Sequence, residues 1–95
     1  MDIQAIINNP TATIIDVREP FEFSGRNAAG SINIPLGEIG QRFEEFKDMS
    51  KPLVLCCASG NRSGMATQFL LNQGIEEVYN GGSWAIVDAV KMQTV

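Results

Sequence analysis

The chain has 95 residues, with seven basic and eleven acidic side chains, two cysteines and no histidine, which fits one domain over residues 1–95. The missing histidine excludes Ser-His-Asp and Cys-His catalysis and every zinc site that uses imidazole. A net charge of −4 argues against nucleic-acid binding, because phosphate contacts need a concentrated basic surface.

The first half of the chain predicts short helices alternating with short strands. Asp2 is a good helix cap, and Pro20 suits the first turn of a helix. The β-branched run after Pro10 has the character of a buried strand. We predict helices at residues 2–7, 20–23 and 36–47. We predict strands at residues 11–15 and 31–35.

The second half predicts a central strand followed by a loop and a longer helix. The continuous apolar run 52–56 has the length of a strand that is buried on both faces. We further predict a helix from 63 to 73 with Gly74 as its cap, a strand at 77–79, a turn at 80–82 and a helix at 84–90. This alternation indicates an α/β domain with a mostly parallel sheet.

The loop that follows the central strand is the candidate functional site, because ligands bind beyond the carboxyl ends of parallel strands. Between Lys51 and Glu76 the only ionised side chain is that of Arg62. Small residues allow successive N–H groups to turn toward one anion, and the helix that follows adds its positive end. The candidate anion-binding loop comprises Ala58, Ser59, Gly60, Asn61, Arg62 and Ser63.

Cys57 at the start of this loop is the candidate nucleophile. A free cysteine has a pKa near 8.5, and a helix N-terminus with a nearby arginine lowers it to about 3.5–7.5. Cys57 is therefore expected to form a thiolate at neutral pH without a histidine. Cys56 is expected to be the last residue of the strand, packed in the core.

The stretch from Cys57 to Ser63 resembles the Cys-x-x-Gly-x-Arg-Ser active-site loop of rhodanese-type sulfurtransferases. Three further segments, 16–19, 30–35 and 79–82, occur in the order of that family, so the resemblance covers about residues 3 to 91. It implies a rhodanese-like three-layer α/β sandwich with a five-stranded, mainly parallel central sheet flanked by helices.

The resemblance also implies a reaction and its residues. Cys57 matches the nucleophile, Arg62 the loop arginine and Ser63 the serine that opens the helix. Sulfane sulfur from thiosulfate or a persulfide would pass to cyanide or a thiol, such as that of a thioredoxin-like protein, through a Cys57 persulfide. No cofactor or metal is implied. The family histidine that precedes the 30–35 segment is missing here, and Arg26 nearby adds a positive charge.

Two other functions remain open at this point. Cys56 and Arg62 have the Cys-x5-Arg spacing of tyrosine-phosphatase-type enzymes, and a domain of this fold can also be a regulatory or binding module without turnover. Asp16 and Arg18 follow a strand on the same edge, where they would either support the loop or serve as a helix cap and a surface ion pair.

The N-terminus and the cysteines also bear on location. Residues 1–7 lack the basic region and apolar stretch of a signal peptide, and no window approaches the roughly 18 apolar residues of a membrane span. Two adjacent cysteines close no useful loop and are expected to be thiols. We expect a cytoplasmic monomer that contacts no membrane.

Overall fold

Four parallel strands form the central sheet of the computed structural model, which describes residues 2–92. They are β1 (Thr13–Asp16), β2 (Ile32–Asn33), β3 (Leu53–Cys57) and β4 (Val78–Ser83), in the order β2-β1-β3-β4. The predicted α/β class is confirmed. The fifth strand implied by the resemblance is not found among the described residues, and those that precede β1 include a helix instead. The chain's own pattern predicted four strands.

Between residues 2 and 92, five α-helices accompany the sheet. They are α1 (Ile3–Ile7), α2 (Pro20–Gly25), α3 (Phe43–Asp48), α4 (Asn61–Asn72) and α5 (Trp84–Met92). Asp2 caps α1, because its carboxylate accepts the N–H groups of Gln4 and Ala5. None of the described helices is long and apolar enough to cross a membrane.

The continuous helix predicted over residues 36–47 is wrong in its middle. The structure has a short 3-10 helix at Leu36–Glu38, and α3 begins only at Phe43. Gly37 and Gly40 explain the interruption, since glycine is a poor helix former. The apolar spacing persists because both pieces pack on the same core.

Strand β3 separates two hydrophobic cores because its side chains alternate between the faces of the sheet. Leu53, Leu55 and Cys57 belong to the core that α3 and α4 cover. Val54 and Cys56 belong to the core that α1 and α5 cover. The two neighbouring cysteines therefore lie on opposite faces of the sheet.

The turn predicted at residues 80–82 is wrong, because this segment belongs to β4. A register shift between Leu55 and Cys56 lets the segment bulge while it stays paired with β3. A Cβ on Gly81 would lie 2.7 Å from Cγ1 of Val54 and 3.0 Å from Cγ2 of Val87. The glycine thus permits close packing between β4, β3 and α5 rather than a chain reversal.

Candidate active site

The connection between β3 and α4 is tighter than the sequence predicted. Strand β3 includes Cys57 and α4 begins at Asn61, so only residues 58–60 join them. Gly60 has a φ of +101°, a left-handed conformation that side chains disfavour. A Cβ at this position would also lie 3.3 Å from the Cα of Gly82 on β4. The loop is therefore held in close backbone contact with β4.

The sulfur of Cys57 is surrounded by hydrogen-bond donors of this loop. The Gly60 N–H donates to Sγ at 3.0 Å, and the N–H and Oγ of Ser63 each lie 3.4 Å from Sγ. Ala58, Ser59 and Asn61 are exposed and form the solvent side of the loop, whereas Cys57 itself is 1% exposed. The arrangement is the concave cluster of N–H groups expected for an anion.

The two cysteines differ sharply in acidity. Burial opposes ionisation of Cys57, but the Ser63 hydroxyl and the N–H groups of Ser63, Gly60 and Ser59 outweigh it and lower the pKa of Cys57 to about 7. Burial, reinforced by the Asp16 carboxylate, raises the pKa of Cys56 to about 12. At neutral pH only Cys57 has an appreciable thiolate fraction.

Arg62 is already paired. Its Nη1 and Nη2 donate to the two carboxylate oxygens of Glu22 on α2, at 2.7 and 3.0 Å. The hydrogen bond from Arg62 holds the pKa of Glu22 at about 2, aided by the Glu19 backbone. The sequence around Arg62 gives no sign of this partner, because Glu22 lies 40 residues away in the chain. This pair ties α2 to the first turn of α4.

Asn80, which the local pattern predicts to lie in a turn, is in β4 and is a further residue of the site. Its Oδ1 accepts the Ser63 hydroxyl at 2.7 Å and the Gly82 N–H at 3.0 Å. Its Nδ2 donates to the Gly60 carbonyl at 3.1 Å. Asn80 thus contacts both Gly60 and Ser63, two of the residues whose N–H groups donate to the sulfur. No local sequence signal reports this, because it depends on the pairing of β4 with β3.

Asp16 and Arg18 lie at the same edge of the sheet but bond to each other. Arg18 donates from Nε and Nη2 to the Asp16 carboxylate, and its guanidinium also reaches the Arg26 carbonyl at 2.7 Å. Both side chains are buried, and the Arg18 guanidinium stacks 4.8 Å from the Trp84 ring on α5. Asp16 pairs in register with Cys56, not Cys57. The hydrogen bonds of this pair stabilise the edge rather than contact the loop.

Arg26 lies beside the same tryptophan, with its guanidinium 5.9 Å from the Trp84 ring centre. Its positive charge therefore sits near the Asp16 and Arg18 pair on the α5 side. Among the described residues, no group of three or more histidine, cysteine, aspartate or glutamate side chains is arranged to hold a metal ion.

Comparison with protein families gives one match over nearly the whole chain. The model of the rhodanese-like domain matches residues 2–87. The chain belongs to the rhodanese-like family. This family includes the sulfurtransferases whose loop pattern is present at residues 57–63.

Individual rhodanese-like relatives support the same assignment. Uncharacterized protein YqhL of Bacillus subtilis is 46% identical over 69 residues, which are 73% of this chain and 54% of YqhL. The chain thus spans about half the length of YqhL. Thiosulfate sulfurtransferase GlpE of Stutzerimonas stutzeri is 32% identical over 78% of this chain and 67% of GlpE. A solved rhodanese with anions from E. coli is 32% identical, has a TM-score of 0.70, and is matched over 78% of this chain and 88% of that one.

The alternative that uses Cys56 as a phosphatase nucleophile has little support in this geometry. Cys56 is fully buried and belongs to the core beneath α1 and α5. Its raised pKa keeps it a neutral thiol at physiological pH. The donors around the loop face the sulfur of Cys57 instead.

Proposed function

We propose that this rhodanese-like domain is a sulfurtransferase that carries sulfane sulfur on Cys57. The observation that supports this most directly is the ring of donors around Cys57, which lowers its pKa to about 7 without an imidazole. A thiolate of that acidity is both populated and nucleophilic at neutral pH. Thiosulfate is our proposed small donor, since the relative GlpE is named for it.

The first half of the proposed reaction loads the cysteine. The Cys57 thiolate attacks the outer sulfur of thiosulfate, the sulfur–sulfur bond breaks, and sulfite leaves with the bonding pair. The product is a Cys57 persulfide anion, and no proton moves. The N–H groups of Ser59, Gly60 and Ser63, which favour the thiolate, are suited to stabilise the negative charge of the persulfide as well.

The second half releases the sulfur to a nucleophile. Cyanide or a thiolate attacks the outer sulfur, and Cys57 leaves as the thiolate from which the cycle began. A thiol of a thioredoxin-like protein or a low-molecular-weight thiol is our proposed acceptor class. A persulfide donor would load Cys57 by the same displacement, with a thiolate leaving in place of sulfite.

Arg62 has two roles in this proposal. Its pair with Glu22 holds α2 against the loop. In the sequence, Arg62 is also the cationic residue nearest to the residues whose N–H groups would bind the anion. The sulfonate end of thiosulfate would then compete with Glu22 for Arg62. Asp16 and Arg18 act only indirectly, by stabilising the edge of the sheet beneath the loop.

The proposal is tested by intact-mass analysis after incubation with thiosulfate and removal of excess reagent. We expect the wild type to gain the mass of one sulfur atom, and peptide mapping to place it on Cys57. Cys57→Ser should abolish the gain, while Cys56→Ser serves as the matched control and should retain it. A gain that persists in Cys57→Ser would contradict the proposal.

The same two variants separate the other functions. Hydrolysis of p-nitrophenyl phosphate that is lost in Cys56→Ser and kept in Cys57→Ser would favour the phosphatase. A wild type that folds but gains sulfur from neither thiosulfate nor an alkyl persulfide would favour a binding module without turnover.

A further inference from the structure

The amide of Asn80 has only one chemically consistent orientation. One end meets the Gly60 carbonyl at 3.1 Å and the other meets the Gly82 N–H at 3.0 Å. A carbonyl can only accept and an N–H can only donate, so Nδ2 must face Gly60 and Oδ1 must face Gly82. The orientation is therefore set by two backbone groups.

This orientation decides where the Ser63 hydroxyl proton goes. Asn80 Oδ1 lies 2.7 Å from Ser63 Oγ and can only accept, so the hydroxyl donates to it. The hydroxyl has one proton, and the Cys57 sulfur lies farther away, at 3.4 Å. Ser63 therefore presents a lone pair to the sulfur, which suits a neutral thiol that donates its own proton.

Ionisation of Cys57 disturbs this arrangement. A thiolate can only accept hydrogen bonds. The Ser63 hydroxyl therefore has two alternatives: it keeps its bond to Asn80 and points a lone pair at the negative sulfur, or it donates to the sulfur and loses its bond to Asn80. Each alternative costs a hydrogen bond or adds repulsion. The contribution of Ser63 to thiolate stability is thus limited by how strongly Asn80 holds its proton.

We propose that Asn80 is a positioning residue that holds the Ser63 proton away from Cys57 and thereby makes the sulfur a stronger nucleophile and a poorer leaving group. Nucleophilicity of a thiolate rises with its basicity, and a more basic thiolate leaves more slowly. In a persulfide the inner sulfur is uncharged, so Ser63 can keep its bond to Asn80. Asn80 would then favour the sulfur-loaded state, a consequence that rests on the proposed function.

The charged groups around Cys57 are the same with or without Asn80. Arg62 of α4 interacts with Cys57 electrostatically and is paired with Glu22 of α2. Asp16 of β1 pairs in register with Cys56 and bonds to Arg18. Neither ion pair includes Asn80 or Ser63, so a change in Cys57 acidity in these variants reports on the hydroxyl and the loop.

The test is the pH dependence of Cys57 alkylation by iodoacetamide, with no sulfur donor present and the site of alkylation mapped. We expect Asn80→Ala to lower the pKa of Cys57 by about one unit, since the freed hydroxyl then donates to the thiolate. At a pH well above the pKa of Cys57, where the thiol is fully ionised, the Asn80→Ala variant should react about threefold more slowly than the wild type. Circular dichroism checks that the variant is folded.

The direction of the shift separates this role from a structural one. Asn80→Ala also removes the bond to Gly60, and a loosened loop would withdraw donors and raise the pKa of Cys57. When Ser63 is already replaced by alanine, we expect Asn80→Ala not to lower the pKa of Cys57. The proposal would be overturned if the pKa of Cys57 rises or stays unchanged in Asn80→Ala. It would also be overturned if Asn80→Ala lowers this pKa equally with and without Ser63→Ala.

Ser63→Ala alone decides the question if Asn80→Ala fails to fold. The Ser63 hydroxyl favours the thiolate only when it turns away from Asn80, and the bond that it then loses offsets most of the gain, so Ser63→Ala should raise the pKa of Cys57 by less than about half a unit. A rise of a full unit or more would overturn the proposal. Because no sulfur donor is used, these results are independent of whether Cys57 carries sulfur.

Discussion

The acidities of Cys56 and Cys57 differ because adjacent residues of a strand point to opposite faces of the sheet. Cys57 meets the donors of Gly60 and Ser63, whereas Cys56 meets apolar side chains and the Asp16 carboxylate. The sequence predicted this division of roles, since the apolar run ends at Cys56 and the small residues begin after Cys57. The magnitude of the difference depends on burial, which a pattern does not give.

The pair between Arg62 and Glu22 makes a prediction at the same scale. Glu22→Gln removes the negative partner and leaves the guanidinium free for the sulfonate of thiosulfate. We expect the KM for thiosulfate to fall about two- to fivefold with little change in kcat, as is typical of a partly exposed ion pair. Steady-state sulfur transfer to cyanide is the measurement.

Glu44→Gln is the matched control for this substitution, because it breaks the pair between Glu44 and Lys47 within α3 instead. Its KM should equal that of the wild type. An increased KM in Glu22→Gln would show that Glu22 serves chiefly to place Arg62 for the donor, contrary to the competition proposed here.

Among the elements, β4 shows how tertiary contacts change the meaning of a local pattern. A pair of glycines after asparagine usually marks a turn, but here the segment continues a strand that packs on β3 and α5. The lack of a side chain at Gly81 is required by Val54 and Val87. Neither contact can be inferred from residues 80–82, because both partners are distant in the chain.

Substitution of Gly81 tests this packing. Gly81→Ala would place a Cβ 2.7 Å from Val54 Cγ1, and we expect it to lower the free energy of unfolding by about 1–3 kcal/mol, the usual cost of an overpacked core. Urea denaturation is the measurement. Gly40→Ala is the control, since a Cβ there meets no atom within 4 Å, and it should change stability by less than about 0.5 kcal/mol. Equal effects of the two substitutions would refute the packing argument.

At the scale of the whole molecule, the negative net charge of the chain opposes the approach of thiosulfate, the proposed small donor. The chain has a net charge of −4, the loop guanidinium is paired with Glu22, and thiosulfate is a dianion. Repulsion between charges of the same sign slows encounter and is screened by salt. We therefore expect the net charge to slow the loading of Cys57 by thiosulfate.

Ionic strength tests this effect. The second-order rate of Cys57 persulfide formation from thiosulfate should rise about twofold between roughly 0.01 and 0.15 M salt. Alkylation by uncharged iodoacetamide at a fixed thiolate fraction is the control and should stay constant. A rate that falls as salt is added would mean that a local positive field, not the net charge, governs the approach of the donor.

The sequence alone was enough to predict an α/β domain and a loop after the central strand, because these depend on spacing and side-chain type within short segments. The role of Cys57 as nucleophile stays a prediction. The strand at residues 80–82 and the partners of the loop were decided by tertiary structure. Glu22 reaches Arg62 from α2, and Asn80 reaches Ser63 from β4. Such contacts join distant segments, and they exist only once the strands have paired and the helices have packed on them.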